Sequence, residues 1–178
     1  MGLILYTPDE QDAVLEEAEI PWPLPGAPLP CVLATEDALL LAYYTKVRRS
    51  SVSSNVPNLV GGSSMGTIAL VDFRFPAAYF SVPVSNEILD AHPLSARGLS
   101  NYKVFTVDHS SWIRRLTAAQ YYHERPYPGA YSNSKHYIFV FHDSIFEAVA
   151  DGITVQSFFS SMDDAEGRML ELLKGKAQ

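Results

Sequence analysis

The sequence predicts a single α+β domain over residues 1–178, with a mostly antiparallel sheet and two to three helices, the longest at 111–123 and 162–174. Three observations lead to this fold class. The length of 178 residues suits one domain of about 100–200 residues. Hydrophobic residues make up 47% of the chain and charged residues 19%, which is a globular composition. Short apolar runs bounded by turn signals occur together with two segments of helical spacing, and this combination is typical of an α+β fold.

The first distinctive segment is a proline-rich strap at residues 21–30, which contains five prolines. Each proline fixes φ near −65° and disfavours helical backbone at the residue before it, so the segment is expected to be extended. We predict that the strap lays Trp22, Leu24 and Leu29 onto the body of the domain. The alternative is a recognition motif for an aromatic groove of another protein.

A hairpin and a central strand are predicted next. Cys31–Thr35 and Ala38–Val47 are apolar runs joined by the polar turn Glu36-Asp37. Residues 50–64 are rich in serine and glycine and are predicted to form a flexible loop. Thr67–Phe75 is β-rich and mostly apolar on both faces, which indicates a central strand.

The next part of the chain alternates between helix and strand. Ser85 or Asn86 can cap a short helix that ends near Leu89, and Tyr102–Val107 is predicted to be a strand. Helix 111–123 follows, because Trp112, Ile113 and Leu116 recur at helical spacing after a pair of serines.

The C-terminal part is predicted to be a three-stranded meander and a helix. Its strands are His136–His142, Ile145–Ala150 and Ile153–Phe159, and Asp151-Gly152 is a strong signal for a two-residue hairpin. The alternative is a helical pass over 145–150, because Ser144 and Glu147 fit a capping box. Ser161 is predicted to cap helix 162–174.

The composition excludes several classes of protein. A single cysteine, Cys31, excludes an internal disulfide framework and a zinc site of paired thiolates. The net charge of −7 argues against nucleic-acid binding. The longest apolar stretches are too short for a signal-peptide core or a membrane span, so we expect a soluble, cytoplasmic protein with no membrane partner.

The charge is unevenly distributed. Residues 1–40 hold eight acidic residues and no Lys or Arg, whereas 143–178 hold seven acidic and three basic residues. The centre, 41–142, holds ten Lys and Arg against five acidic residues, together with all five histidines. A partner is therefore best sought at the central segment, although the acidic N-terminal flank could instead neutralise a basic partner.

One candidate catalytic set consists of His142, Asp143 and Glu147, with His92 joining from a loop. These residue types suit acid–base hydrolysis, and they suit a zinc or non-haem iron that keeps open positions for water. The alternative is structural, because Asp and Ser at a strand end commonly bond to turn backbone. No spaced histidine motif is present, so we expect no metal and no other cofactor.

A second candidate is a ligand-binding set at the start of helix 111–123. Its members are hydroxyl, indole and guanidinium side chains, which suit an anion at a helix N-terminus: Arg97, Ser110, Ser111, Trp112 and Arg114. The alternative is ordinary capping by a serine, with Trp112 as a core anchor.

Three segments carry a resemblance to a known family: HPLSARGL at 92–99, SSWIR at 110–114 and FHDSIFE at 141–147. The chain resembles a family of small bacterial proteins that are usually described only as hypothetical. The likeness covers most of the chain apart from 50–64 and 124–135. It implies a bacterial cytoplasmic protein and no particular activity.

These observations favour a non-catalytic domain that binds a small anionic ligand or a protein through a basic central surface bearing histidines and tyrosines. The alternative function is a small metal-dependent or acid–base hydrolase centred on His142, Asp143 and Glu147. Both functions are compatible with an oligomer.

Overall fold

A computed structural model describes residues 6–46, 65–83, 86–127 and 129–176. Seven strands form one sheet in the order β1-β5-β6-β7-β4-β3-β2, and every neighbouring pair is antiparallel. The strands are β1 (Ala13–Glu16), β2 (Cys31–Ala34), β3 (Leu39–Tyr44), β4 (Gly66–Pro83), β5 (Val104–Asp108), β6 (Lys135–Val140) and β7 (Ser144–Ser160). The helices are α1 (Ser111–Gln120) and α2 (Met162–Lys176), and two 3₁₀ helices span Asn86–Ala91 and Ser95–Arg97. The predicted α+β class is confirmed.

The predicted hairpin of β2 and β3 is present. Cys31 lies opposite Ala42 and Ala34 lies opposite Leu39, and the amide of Thr35 donates to the carbonyl of Ala38 at 2.8 Å to close the turn. All six residues of β3 are buried, since this strand is covered on both faces. The predicted loop at 50–64 lies outside the described residues.

The meander predicted over 136–159 is wrong at its second turn. β7 runs without a hairpin through Asp151-Gly152, and its residues pair with β4 from Ser144 opposite Pro83 to Ser160 opposite Gly66. The helical alternative for 145–150 is also wrong, because these residues pair with β6 on the other side. The hydrogen bonds that the long strand β4 offers to β7, with Gly152 opposite Arg74, outweigh the local preference of Asp-Gly for a turn.

Both long helices begin where the serines predict. The Ser110 hydroxyl accepts from the amide of Ile113 at 3.3 Å, and the Ser161 hydroxyl accepts from the amide of Asp164 at 3.2 Å. α1 ends at Gln120, three residues before the predicted boundary, and α2 continues two residues past it to Lys176.

The edge strand β1 has no counterpart in the sequence analysis. It is four residues long and mostly exposed, so its residues show no clear apolar alternation. It forms by pairing with β5, with Ala13 opposite Asp108 and Glu16 opposite Phe105.

Alternate residues along the strands enter different hydrophobic clusters on the two faces of the sheet. The strap-side cluster occupies one face and includes Tyr43, Phe73, Phe139, Phe146 and Ala148. The other face carries two clusters. The α1-side cluster includes Tyr6, Trp112, Ile138, Ile145 and Val149. The α2-side cluster includes Leu40, Ala42, Ile68, Ala165 and Met169.

The proline-rich segment contacts hydrophobic clusters on both faces of the sheet. Trp22 packs against the strap-side cluster, and its indole donates to the carbonyl of Glu17 at 3.1 Å. The Thr45 hydroxyl donates to the carbonyl of Trp22 at 2.8 Å, so the segment is tied to the end of β3. Leu24 packs against the α2-side cluster, whereas Leu29 is 61% exposed and does not anchor the strap.

Candidate functional site

A fully buried carboxylate lies at the centre of the sheet. Glu147 of β7 is 0% exposed, and three side chains approach its two oxygens. Tyr6 donates its hydroxyl to Oε2 at 2.8 Å, and the Nε2 atom of His136 lies 2.7 Å from the same oxygen. The Nε2 atom of His92 lies 2.6 Å from Oε1. A buried charge is expensive unless it is hydrogen-bonded, and here each carboxylate oxygen is satisfied.

The hydrogen bonds determine which ring nitrogen of His92 carries a proton. The amide of Leu94 lies 3.1 Å from Nδ1 and donates to it, so Nδ1 is an acceptor. The proton of the neutral ring is then on Nε2, which donates to Glu147. This histidine therefore acts as a neutral hydrogen-bond donor to the carboxylate.

The partners of His136, which is 0% exposed, likewise indicate which of its ring nitrogens carries the proton. An ionised carboxylate only accepts, so Nε2 of His136 donates to Glu147. In the neutral ring Nδ1 is then the acceptor, and the Ser110 hydroxyl oxygen lies 2.9 Å from it. In this tautomer the Ser110 hydroxyl donates to His136 and His136 donates to Glu147, so the three groups form one continuous hydrogen-bonded chain.

The pKa values of the two acidic partners move in opposite directions. Burial alone would raise the pKa of Glu147, but hydrogen bonds from His136 and His92 outweigh burial and hold the pKa below the ordinary 4.5. Burial and the neighbouring negative charge of Glu147 raise the pKa of Tyr6 well above 10.0. The carboxylate is therefore ionised and the phenol remains a donor across the neutral pH range.

Aromatic rings hold the members of the chain in place. Tyr6 and Trp112 stack with their centroids 5.6 Å apart and their planes 6° apart. His136 meets Trp112 edge-on at 5.1 Å and Tyr6 edge-on at 5.4 Å. Edge-to-face contacts favour one ring orientation, so they fix the direction in which the His136 nitrogens point.

Ser110 connects this buried chain to the surface. The backbone turns from β5 into α1 at His109, whose φ is 53°, and Ser110 follows as the cap of α1. Ser110 is 3% exposed, and it lies with His109 in the wall of a groove of about 410 Å³. The groove is also lined by charged and hydroxyl side chains, among them Glu17, Asp108, Arg114, Tyr131, Ser134 and Lys135.

The two histidines and the carboxylate do not fit a metal ion. A histidine that binds a metal through Nε2 carries its proton on Nδ1, where it donates to a neighbour. The amide of Leu94 already donates to Nδ1 of His92, so that nitrogen holds no proton. Among the described residues, no group of three His, Cys, Asp or Glu side chains is arranged to hold a metal.

The predicted set of His142, Asp143 and Glu147 does not converge. The His142 side chain is 44% exposed and that of Asp143 is 59% exposed, with 3.8 Å between Nε2 and Oδ1. The His142 Nδ1 atom lies 2.5 Å from the Tyr102 hydroxyl, and the two rings stack. His142 and Asp143 precede β7 in a surface turn, whereas the Glu147 side chain enters the interior. The four predicted catalytic residues therefore form two separate pairs, with Glu147 and His92 in contact in the interior and His142 and Asp143 at the surface.

Two of the predicted anion-binding residues, Ser111 and Arg114, donate to carboxylates of the chain itself. The Ser111 amide donates to Oδ1 of the buried Asp12 at 2.5 Å. The Arg114 guanidinium donates to Asp9 and to the carbonyl of His109, and Arg97 donates to the carbonyl of Asp12. The N-terminal segment thus supplies the negative charge at the start of α1.

Three members of the site are absent from the predicted set: Tyr6, Asp12 and His136. His136 could be linked to Glu147 through the strand pairing. The 2.9 Å bond from the Phe141 amide to the Ser144 carbonyl closes a hairpin that places Ile138 opposite Glu147. His136 lies two residues from Ile138 and therefore on the same face as Glu147. No local pattern indicates Tyr6 or Asp12.

Comparisons of the chain with protein-family models, with curated proteins and with solved structures find no match. No helix in the described ranges is long and apolar enough to cross a membrane.

Proposed function

We propose that the protein binds a small zwitterionic molecule in the groove beside Ser110. The observation that carries the proposal is the pairing of opposite charges on the walls of a compact groove. Its volume of about 410 Å³ falls in the range of about 300–1,000 Å³ typical of small-molecule sites. That size favours a metabolite-sized ligand over a protein surface.

The positions of the charges follow from the strand register. Val107 of β5 lies opposite His136 of β6, so Asp108 and Lys135 are neighbours at the adjoining ends of these strands. Glu17 accepts from the Thr106 hydroxyl at 2.7 Å on the same strand pair. The groove therefore offers Lys135 to a carboxylate, and it offers Asp108 and Glu17 to an ammonium group.

This composition favours a zwitterion over a simple anion. Arg114 also lines the groove, but Asp9 already offsets its charge. A ligand with only negative groups would meet the carboxylates of Asp108 and Glu17 at close range, and unpaired like charges oppose binding. A ligand with both charges pairs with the ammonium group of Lys135 and with the carboxylates.

The proposal is tested by titrating isotope-labelled protein with glycylglycine, acetate and ethylamine and following backbone amide resonances. Glycylglycine is expected to shift the amides of His109, Ser110 and Lys135 and to bind at least about tenfold more tightly than either singly charged probe. The Lys135→Ala variant should weaken glycylglycine binding about tenfold, whereas the control Lys174→Ala, in an exposed pair on α2, should not change it. Equal binding of all three probes, or no shifts at the groove, would contradict the proposal.

A further inference from the structure

We propose that Ser110 is a catalytic nucleophile that hydrolyses small esters bound in the groove, with His136 as its general base. The inference rests on the proposed function, because the substrate is captured by the groove that Ser110 lines. It moves the hydrolase hypothesis from the surface pair His142 and Asp143 to a buried set that keeps Glu147 and His92 of the predicted residues.

The hydrogen-bonded chain has the connections that nucleophilic catalysis requires. A serine hydroxyl is a weak nucleophile unless a base within about 2.6–3.2 Å accepts its proton and a third group orients that base. The Ser110 oxygen is 2.9 Å from Nδ1 of His136, and Nε2 of His136 is 2.7 Å from Glu147. Since Nε2 donates to the carboxylate, the lone pair of Nδ1 faces the serine.

Glu147 acts through His136 and is a positioning residue. When Nδ1 takes the serine proton, the imidazolium forms next to an ionised carboxylate that stabilises its charge. Tyr6 and His92 donate to that carboxylate as well, at 2.8 and 2.6 Å, and keep it fixed. The stacked rings of Tyr6 and Trp112 prevent His136 from turning away from the serine.

The reaction balances with water as the only co-reactant. The Ser110 oxygen attacks the ester carbonyl carbon while Nδ1 of His136 takes the hydroxyl proton. The carbon–oxygen bond to the alcohol breaks, and the leaving oxygen takes that proton from His136. Water then attacks the acyl-serine, gives one proton to Nδ1 and releases the acid, and the proton returns to the Ser110 oxygen. The sum is ester plus water giving acid plus alcohol.

The groove wall supplies the remaining chemistry. Negative charge develops on the carbonyl oxygen during attack, and donors next to the reacting atom stabilise it. Lys135 and His109 line the same groove as Ser110, and their side chains can supply such donors. The charged walls suit the ester of a small polar acid and disfavour a long-chain lipid ester, for which an apolar groove would be needed.

The test uses a small alkyl fluorophosphonate, which loses fluoride and leaves its phosphonyl group on an activated serine. Digestion and mass spectrometry of the treated folded protein should locate the adduct on Ser110. Hydrolysis of p-nitrophenyl acetate by untreated protein should also be measured, and it should fall at least about 100-fold in Ser110→Ala. Glu147→Gln should lower kcat and leave KM nearly unchanged, which a merely structural role would not predict.

Loss of the α1 cap needs its own control. Ser161→Ala removes the corresponding capping serine of α2, whose hydroxyl bonds to the side chain and amide of Asp164. This variant should be labelled and should hydrolyse the ester like the wild type. The absence of an adduct on Ser110 in the folded wild type would overturn the inference. Labelling of Ser110 to the same extent in urea-unfolded protein would also overturn it, because the folded structure would then not activate the serine. Glycylglycine binding without an adduct would support the binding proposal and contradict Ser110 as a nucleophile. An adduct without glycylglycine binding would support Ser110 as a nucleophile and contradict the binding of a zwitterion.

Discussion

Glu147 shows at the scale of single residues how this fold keeps a charge in its interior. Moving a carboxylate out of water costs several kcal/mol, and the cost is offset only when hydrogen bonds and charges replace the lost water. Here two oxygens receive three donors, from Tyr6, His92 and His136. In turn, the carboxylate is the hydrogen-bond acceptor for the buried polar group of each donor. The four side chains are therefore interdependent, and removing Glu147 would take away the acceptor that the three donors share.

Tyr6→Phe is expected to change the response of the protein to alkali. In the wild type the unfolded state loses the Tyr6 proton near pH 10.0, while the folded state keeps it because the Tyr6 pKa is raised. A group with a raised folded-state pKa stabilises fully below its unfolded-state pKa, and this contribution falls as pH rises above that value. The free energy of unfolding should thus fall above about pH 10 by up to about 1.4 kcal/mol per pH unit for Tyr6. Urea unfolding between pH 8 and 11.5 measures the slope.

In Tyr6→Phe that slope should be shallower by the share of one tyrosine. It should not vanish, because burial also raises the pKa of Tyr43 and Tyr137. The variant should also lose about 1–3 kcal/mol at neutral pH, since one donor to the buried carboxylate is gone. Tyr122→Phe is the matched control, as Tyr122 is 92% exposed and should keep the wild-type slope. An unchanged slope in Tyr6→Phe would show that Tyr6 ionises in the folded state.

At the scale of elements, α2 is joined to the sheet through a narrow apolar face. Met169 is 0% exposed and packs in the α2-side cluster, whereas the next residue, Leu170, is 51% exposed. Met169→Ala should lower the free energy of unfolding by about 2–4 kcal/mol, because it removes buried atoms and leaves a cavity. Leu170→Ala should lower it by less than about 0.5 kcal/mol. Urea unfolding of both variants checks the contrast, and equal effects would mean that α2 does not pack as described.

Elements that depend on neighbouring residues could be predicted from the sequence, whereas those that depend on distant partners could not. The hairpin at Glu36-Asp37 and the caps at Ser110 and Ser161 use residues within a few positions, so their signals are local. Asp151-Gly152 carries an equally strong local signal, yet β4 holds this stretch straight from almost 80 residues away in the chain. A local sequence signal therefore determines the secondary structure unless a longer stretch of strand pairing competes with it.

The site follows the same distinction. Glu147 could be selected from the sequence, but its donors Tyr6 and His92 are 141 and 55 residues away along the chain. No spacing rule connects residues at such distances, so the predicted set joined Glu147 and His92 to His142 and Asp143 and omitted Tyr6. Only the strand register shows that the Glu147 side chain enters the interior, whereas His142 and Asp143 lie in a surface turn. Sequence alone thus indicates the chemistry available, and the sheet decides which groups meet.

At the scale of the whole molecule, the clusters on the two faces share one sheet. β6 sends Tyr137 and Phe139 into the strap-side cluster and Ile138 and Val140 into the α1-side cluster. β7 does the same, with Phe146 and Ala148 in the first cluster and Ile145 and Val149 in the second. Neither face can lose its packing without exposing the strands that hold the other. The described part of the chain is therefore expected to unfold as one cooperative unit.

The chain contains two tryptophans, and they report on the two faces separately. Trp22 packs against the strap-side cluster, and Trp112 belongs to the α1-side cluster. A Trp22→Phe variant leaves only the α1-side reporter, and a Trp112→Phe variant leaves only the strap-side reporter. In each variant, the fluorescence transition in urea should coincide with that variant's own far-UV circular dichroism transition, because both faces depend on β6 and β7. Comparing the probes within one variant removes any change in stability caused by the substitution. A fluorescence transition that precedes the loss of secondary structure in either variant would show that one face unpacks while the sheet persists.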